Sequence, residues 1–420
     1  MLLHNNKTVR ARVVLLLCLF SLVGSGVVPG RHDGVAGDWP RWRGPTADGV
    51  STEADWSTNW PAEGPKRLWE ASVGVGFSSV TVADGKAYTL GNWDKATDTV
   101  LCLDAVSGKE IWKHSYPCPI DARYYEGGPG SSPTIDTDHA RVYTLSKRGL
   151  LVCFESRSGK VLWQKDLATG LGVTKPQWGY AGSPVVTGDR ILLNLGGAGT
   201  ALSRETGEVL WTSSRDASGY ATPMLASLGN EPAALIFAAK ALVAVKIKDG
   251  AEIWRYPWTT RWDINAADPI LKGKEVFLSS FDRGGAVLDI SGAEPRVRWA
   301  SKNLSNHFSP CVSYEGYLYG IDGNTDIEHK DLRCVAWDSG EVKWTFNGVG
   351  MGSLILAGNR LVVMGDKGEL LVAPATPAGF NPSARAQVMG GKCWTAPTLA
   401  NGKLYCRNAA GTVICLELPR

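Results

Sequence analysis

The sequence predicts an all-β fold, an eight-bladed β-propeller of four-stranded antiparallel blades, on three observations. Tryptophans recur at near-constant intervals. A glycine turn precedes most of them at a fixed distance. The last repeat lacks one strand, and a segment ahead of the first repeat supplies it. Radial repetition of such sheets is a propeller.

The tryptophans are Trp69, Trp112, Trp163, Trp211, Trp254, Trp299 and Trp344, at intervals of 43, 51, 48, 43, 45 and 45 residues. Five have glycine four positions earlier: Gly108, Gly159, Gly207, Gly250 and Gly340, in SGKEIW, SGKVLW, TGEVLW, DGAEIW and SGEVKW. A glycine turn followed by a strand ending in Trp is a hairpin signal. Six residues before those glycines stand Cys102, Cys153, Ala201, Ala244 and Cys334, and Cys415 holds the same place in the last repeat. A position filled by Cys or Ala in repeat after repeat calls for a small apolar side chain in a crowded layer. Cys102, Cys153, Cys334 and Cys415 are therefore expected as buried free thiols. Cys118, Cys311, Cys393 and Cys406 fall off the pattern, which leaves room for one disulfide pair.

Each repeat opens on a short small-residue entry: SSV at Ser78, SSP at Ser131, GSP at Gly182, ATP at Ala221, ADP at Ala267, FSP at Phe308, GSL at Gly352 and TAP at Thr395. A tight turn follows, such as Asp84-Gly85 or Asn401-Gly402, and then an apolar strand such as KAYTL or RVYTL. Each repeat is thus a sheet of strands A, B, C and D with Trp on D. Repeat seven has no Trp, and its strand D is expected from Ala384 to Val388. The last repeat stops after strand C, so residues 66 to 71, with Trp69, are expected to complete it. Closing the ring this way removes a sheet edge.

The chain has 420 residues, 44% hydrophobic and 20% charged, with a net charge of +3. That is globular composition and gives no electrostatic footprint for nucleic acid. Residues 1 to 30 read as a secretory signal: Lys7, Arg10 and Arg12 precede the apolar run Val13 to Leu22 and the small residues Gly24, Ser25 and Gly26. The run is short of the roughly 20 residues that span a bilayer. A periplasmic or secreted monomer without stable membrane insertion is expected, with an irregular leader over 31 to 65 and the propeller over 66 to 420.

The pattern in LLVCFESRSGKVLW and VLCLDAVSGKEIW resembles the PQQ repeat of quinoprotein alcohol dehydrogenase-like propellers. The likeness covers nearly all of the chain after the leader. Eight such blades are similar to quinoprotein alcohol dehydrogenases and to the outer-membrane-assembly propeller lipoprotein. The opening Asp38-Trp39-Pro40-Arg41-Trp42-Arg43-Gly44-Pro45 resembles a leader of exported PQQ-binding-like repeat proteins. Two features depart from these relatives. No vicinal Cys-Cys pair is present, and Leu17 stands before Cys18 where a lipobox needs a small residue. One propeller hosts many functions, so the fold alone selects none.

Topology selects a face. The A–B and C–D turns share one end and are short. The B–C turns and the D-to-A crossovers share the other end and are long, and long loops on a rigid scaffold carry binding residues. The crossovers bring Tyr124, Glu126, Trp178, Tyr180, Arg261, Trp262, Asp263, Asn265, His307 and Trp394 toward the channel. Trp178, Trp262 or Trp394 would stack on a flat ligand, with Glu126, Arg261, Asp263 and Asn265 orienting it. Taken singly, each aromatic is more simply a seal between blades and each charge a solvated one. His307 has no visible nucleophile or acid partner, so a structural place suits it better than a general base. Asp322, Asn324, Asp326 and Glu328 space oxygen atoms as a Ca2+ loop does, but Ile327 stands where such a loop needs glycine.

Two functions are carried forward. The first is a non-catalytic scaffold that binds a protein, peptide or glycan partner through the crossover face. The second, which the resemblance implies, is a small PQQ-dependent dehydrogenase of alcohols or sugars, its quinone stacked on a funnel Trp beside Ca2+ held by Glu126, Asp263 or Asn265.

Overall fold

The computed structural model describes Met1 and residues 37 to 420. The rest of the signal segment, residues 2 to 30, and leader residues 31 to 36 lie outside the described residues. Eight sheets form the expected ring, each with four antiparallel strands, and helix is nearly absent. Blades one to seven occupy residues 81–117, 134–166, 185–212, 224–257, 270–301, 312–346 and 353–387. Blade eight has Thr398–Ala400, Lys403–Arg407 and Thr412–Glu417, and its outer strand is Lys66–Ser72. Trp69 pairs there with Cys415, so the segment ahead of the first repeat closes the ring. Strand D of the seventh repeat is Ala384–Gln387.

The pairing register explains the repeated small residue. In blades one, two, three, four, six and eight, the strand C residue directly opposite the D-strand Trp is Cys102, Cys153, Ala201, Ala244, Cys334 and Cys415. Blade five puts Val287 there, opposite Trp299. The next neighbour on strand B is Tyr where C is Cys (Tyr88, Tyr143, Tyr319, Tyr405) and Leu where C is Ala (Leu192, Leu235). Cross-strand neighbours are the packing unit of a sheet. In the four Cys rows the Tyr and Trp rings face each other across the thiol at 5.8 to 6.0 Å. All eight described cysteines are buried free thiols, the off-pattern four included. Cys311, for one, donates to Asn306 Oδ1 at 2.9 Å.

Each Trp reaches beyond its own blade. Trp112 Nε1 donates to Ser156 O of blade two at 3.0 Å, and Trp211 Nε1 to Ile247 O of blade four at 2.9 Å. For Trp69, Trp112, Trp163, Trp211 and Trp299 the next blade's turn glycine lies against the indole. A Cβ on Gly159 would stand 2.5 Å from Trp112, and one on Gly250 2.5 Å from Trp211. These glycines also have positive φ, +72° and +73°, which suits glycine on both counts. Trp69 makes the same dock across the closure, onto Gly108 and Ala105 O of blade one. Arg407 of blade eight reinforces that seam: its buried guanidinium donates to Ser78 O, Thr89 Oγ1, Leu90 O and Gly74 O at 2.6 to 2.9 Å.

The leader lies across the A–B-turn end of the ring. Trp39 is buried and exchanges two 2.8 Å backbone bonds with Val82 of blade one. Pro40 O accepts from Ile135 N of blade two, and Arg43 donates to Cys311 O at the start of blade six. Val50–Ser51 adds in parallel to the inner strand of blade seven, and Glu53 accepts from Asn401 N and Gly402 N of blade eight. Trp42 reaches into the channel, where its indole N–H meets Asp268 at the entry of blade five. The leader therefore stops the channel at this end.

Candidate functional site

Above that stop the channel widens into a cavity of about 460 Å³ that opens on the crossover face. Its walls come from D-to-A crossovers and B–C turns, as the topology requires. One side is an unbroken arc of rings. Tyr125 meets Phe77 at 5.5 Å, Phe77 meets Trp394 at 5.8 Å and Trp394 meets Phe308 at 4.9 Å. His307 continues it, 4.8 Å from both Phe308 and Phe281. The other side carries Trp262 and the pair Trp178 and Tyr220, at 6.1 Å.

Of the residues singled out in the sequence, Tyr124, Trp178, Trp262, His307 and Trp394 line this cavity. Tyr124 stands at the mouth, 93% exposed, and Trp262 is 51% exposed. Five others are placed elsewhere. Tyr180 is fully buried in the apolar cluster between blades two and three. Asn265 is fully buried, its Nδ2 donating to the carbonyls of Ala238, Ala239 and Trp258 at 2.8 to 3.1 Å. Asp263 sits in a turn with φ +55°. Arg261 lies 3.7 Å from Asp282, and Glu126 pairs with Lys392 at 2.9 Å. Around the proposed cation loop, Asp322 pairs with Arg333 at 2.9 Å, Asn324 donates to Phe281 O and Glu328 is exposed. Among the described residues no three His, Cys, Asp or Glu side chains gather as metal ligands.

Other lining residues were not picked out from the sequence. Phe77, Tyr220 and Phe308 are neighbours of residues that were. Trp42 comes from the leader, and Asp268 comes from the ring of blade entries. The middle residues of those entries form a girdle around the channel, and from blade one to blade five each backbone N–H reaches the next blade's side chain. Ser79 N donates to Ser132 Oγ at 2.9 Å, Ser132 N to Ser183 Oγ at 2.9 Å and Ser183 N to Thr222 Oγ1 at 3.1 Å. Thr222 N then donates to Asp268 Oδ1 at 2.8 Å. The signal was in the sequence: ADP is the one entry with a charged middle residue.

Burial tunes three titrating groups on the lining. It holds the His307 imidazole down to about 3, so the ring is neutral near pH 7, with Nδ1 shut off from solvent and unpartnered. It brings the Lys147 ammonium down to about 8, where the Tyr125 hydroxyl accepts its hydrogen bond. It holds the Asp268 carboxyl above the ordinary carboxylate range, against the opposing pull of the Arg43 charge. The cavity thus offers stacking surface, a cation on one wall and a carboxylate at its floor. It has no side chain poised as a nucleophile beside a base. The residues do not fit a quinone with its Ca2+: of the oxygen ligands such a site would draw on, Glu126 is paired with Lys392, and Asp263 and Asn265 lie outside the lining.

An eight-bladed ring with five Trp–Gly docks between blades and an aromatic funnel at the crossover end defines a quinoprotein-type propeller. The family model described as outer membrane protein assembly factor BamB, a PQQ-repeat family, matches residues 96–346, and the chain belongs to that family. It is 22% identical over 363 residues to outer membrane protein assembly factor BamB of Yersinia pestis, covering 83% of this chain and 77% of that one. Among solved structures, BamB from Moraxella catarrhalis superposes with a TM-score of 0.62 at 17% identity, over 84% of this chain and 100% of that one. Quinohemoprotein alcohol dehydrogenase from Comamonas testosteroni superposes with a TM-score of 0.66 at 16% identity, over 92% and 81%. At such identities the structural likeness is one of fold.

Proposed function

We propose that this chain is an exported PQQ-repeat propeller that works as a non-catalytic scaffold in the periplasm, holding a segment of a protein partner in the funnel of its crossover face. The observation that carries this reading is the blind, aromatic-walled funnel itself. Large rings at a concave site supply most of the contact area in recognition, with little entropy to lose. The relative that covers most of the chain is named an outer membrane protein assembly factor, which supports a protein partner and a cell-envelope location. Dehydrogenase chemistry finds no support in the placement of Glu126, Asp263 and Asn265.

The test is selection of a displayed random-peptide library on the immobilised protein, with synthesis and titration of the enriched sequences. Saturable binding should weaken at least tenfold in the Trp178→Ala, Trp262→Ala double variant, with the unfolding midpoint unchanged. A library that gives no enrichment, or peptides that bind the double variant as well, would overturn the reading.

A further inference from the structure

We infer that the funnel selects a cationic side chain of its partner, a lysine or arginine, whose head group passes between the aromatic walls and ends on the Asp268 carboxylate. This rests on the proposed binding of a protein segment in the funnel and names what that segment carries.

The girdle provides the first argument. Its eight equivalent positions are Ser79, Ser132, Ser183, Thr222, Asp268, Ser309, Ser353 and Ala396. Three of its joints are made by a hydroxyl oxygen accepting a backbone N–H at 2.9 to 3.1 Å. The fourth does the same work with a carboxylate at 2.8 Å. A hydroxyl would therefore serve the ring at blade five as it does elsewhere. A carboxylate there adds a charge in the channel, which within the fold opposes the buried Arg43 guanidinium without an ion pair to it.

The second argument is that this charge is under-used. Asp268 accepts from Thr222 N through Oδ1 and from Trp42 Nε1 through Oδ2, at 2.8 and 2.6 Å. A carboxylate has about four acceptor sites. Among the described residues no Lys, Arg or His nitrogen lies within ion-pair distance of it. Arg43 is the nearest opposing charge, but its guanidinium donates to the carbonyls of Ala47, Asp48 and Cys311. The carboxylate faces the cavity at its closed end, beside Trp42, with the open mouth marked by Tyr124 and Trp262. A carboxylate so desolvated gains more from an incoming cation than an exposed one would.

The third argument is the wall. Trp178, Tyr220, Trp262 and Trp394 present rings to the same space. Ring faces attract a cation, most strongly when water is excluded. The other charged groups fix the direction of entry. Lys147 and Arg123 line the wall from the first crossover and blade two, while Asp326 lines it from blade six. Arg123 is already paired with Asp121, at 3.1 Å. A segment entering with its cation toward Asp268 keeps its carbonyl or acidic groups toward Lys147.

Four probes test this on the full propeller, by calorimetry and tryptophan fluorescence: N-acetyl, C-amide tripeptides Ala-Lys-Ala, Ala-Arg-Ala and Ala-norleucine-Ala, and free butylammonium. The Lys or Arg peptide should bind saturably, and the norleucine peptide at least about tenfold more weakly. Asp268→Ser restores the residue that five other blades carry at this position, so it keeps the girdle. It should lose that same tenfold with the unfolding midpoint retained; Asp268→Asn should behave alike. No binding of either cationic peptide, equal binding of norleucine, or an unchanged lysine affinity in Asp268→Ser would overturn the inference. Library peptides that bind without charge preference, and are lost only in the Trp178, Trp262 variant, would sink this inference and leave the scaffold reading standing. Butylammonium binding as tightly as the lysine peptide, and lost in Asp268→Ser, would support the carboxylate site while sinking the protein-segment reading.

Discussion

Replacing Gly250 with alanine should destabilise the ring much more than replacing Gly273, although both glycines have left-handed backbones. Gly250 has φ +73° and Gly273 +59°. For any L-residue that region costs about 1–2 kcal/mol, so this part is shared. The surroundings differ. A Cβ at 250 would stand 2.5 Å from Cε3 and 2.6 Å from Cδ2 of Trp211, and one at 273 would meet nothing within 4 Å. Carbon atoms in contact rest about 3.5 to 4.0 Å apart, so the indole would have to retreat by about 1 Å. It cannot do so freely, because Nε1 is bonded to Ile247 O at 2.9 Å. Overpacking of this kind costs about 1–3 kcal/mol. Gly250→Ala should then lose about 2–5 kcal/mol and Gly273→Ala about 1–2 kcal/mol. Urea unfolding followed by tryptophan fluorescence and far-ultraviolet circular dichroism measures both, provided the slopes agree. Equal losses, or a larger one at 273, would refute the idea that the Trp–Gly dock is what locks adjacent blades.

Two further outcomes follow from buried charge. Arg407→Met removes four hydrogen bonds from the seam between blades eight and one and takes the side-chain donor from the buried Leu90 and Gly74 carbonyls. It should cost about 3–5 kcal/mol in chemical unfolding; a loss below 1 kcal/mol would show that the seam holds without it. The second concerns acid. His307 has its folded value down at about 3 against 6.5 for the free side chain, so between those pH values the unfolded chain binds the extra proton. Stability should fall as pH drops from 6.5 toward 3, at up to about 1.4 kcal/mol per pH unit from this group. His307→Phe should flatten that part of the profile, and an unaltered slope would rule the histidine out as its source.

The ring was legible because its signals are local. Each Trp, its turn glycine and the small residue opposite it lie within one hairpin, so a fixed spacing in sequence becomes a fixed register in space. The closing strand was legible by the same logic, as a D strand found out of place. The site was only half legible. Crossover residues were chosen by chemical type, and type does not say which way a loop residue faces. Trp178 looks into the cavity while Tyr180, two positions on, is buried between blades. Asn265 serves carbonyls inside the fold, whereas Ile264 and Ala266 on either side line the funnel. Trp42 was out of reach for another reason: its contact with Asp268 spans 226 residues, and no pattern in the leader announces which blade it will meet.

That leader has a temporal consequence. Chains are made and begin to fold from the N-terminus. The first described segment of this one finds its partners among the last to emerge: Lys66–Ser72 waits for Thr412–Glu417, and Glu53 waits for Asn401 and Gly402. Until then blade one has no neighbour on one side, and Trp69 has no Cys415 and Tyr405 to pack against. Contacts of such sequence separation slow folding, because loop-closure entropy is lost before they can repay it. Closure of the ring thus depends on the pairing of its most distant strands, and a chain without Thr412–Glu417 would leave an open, sticky arc where a ring should be.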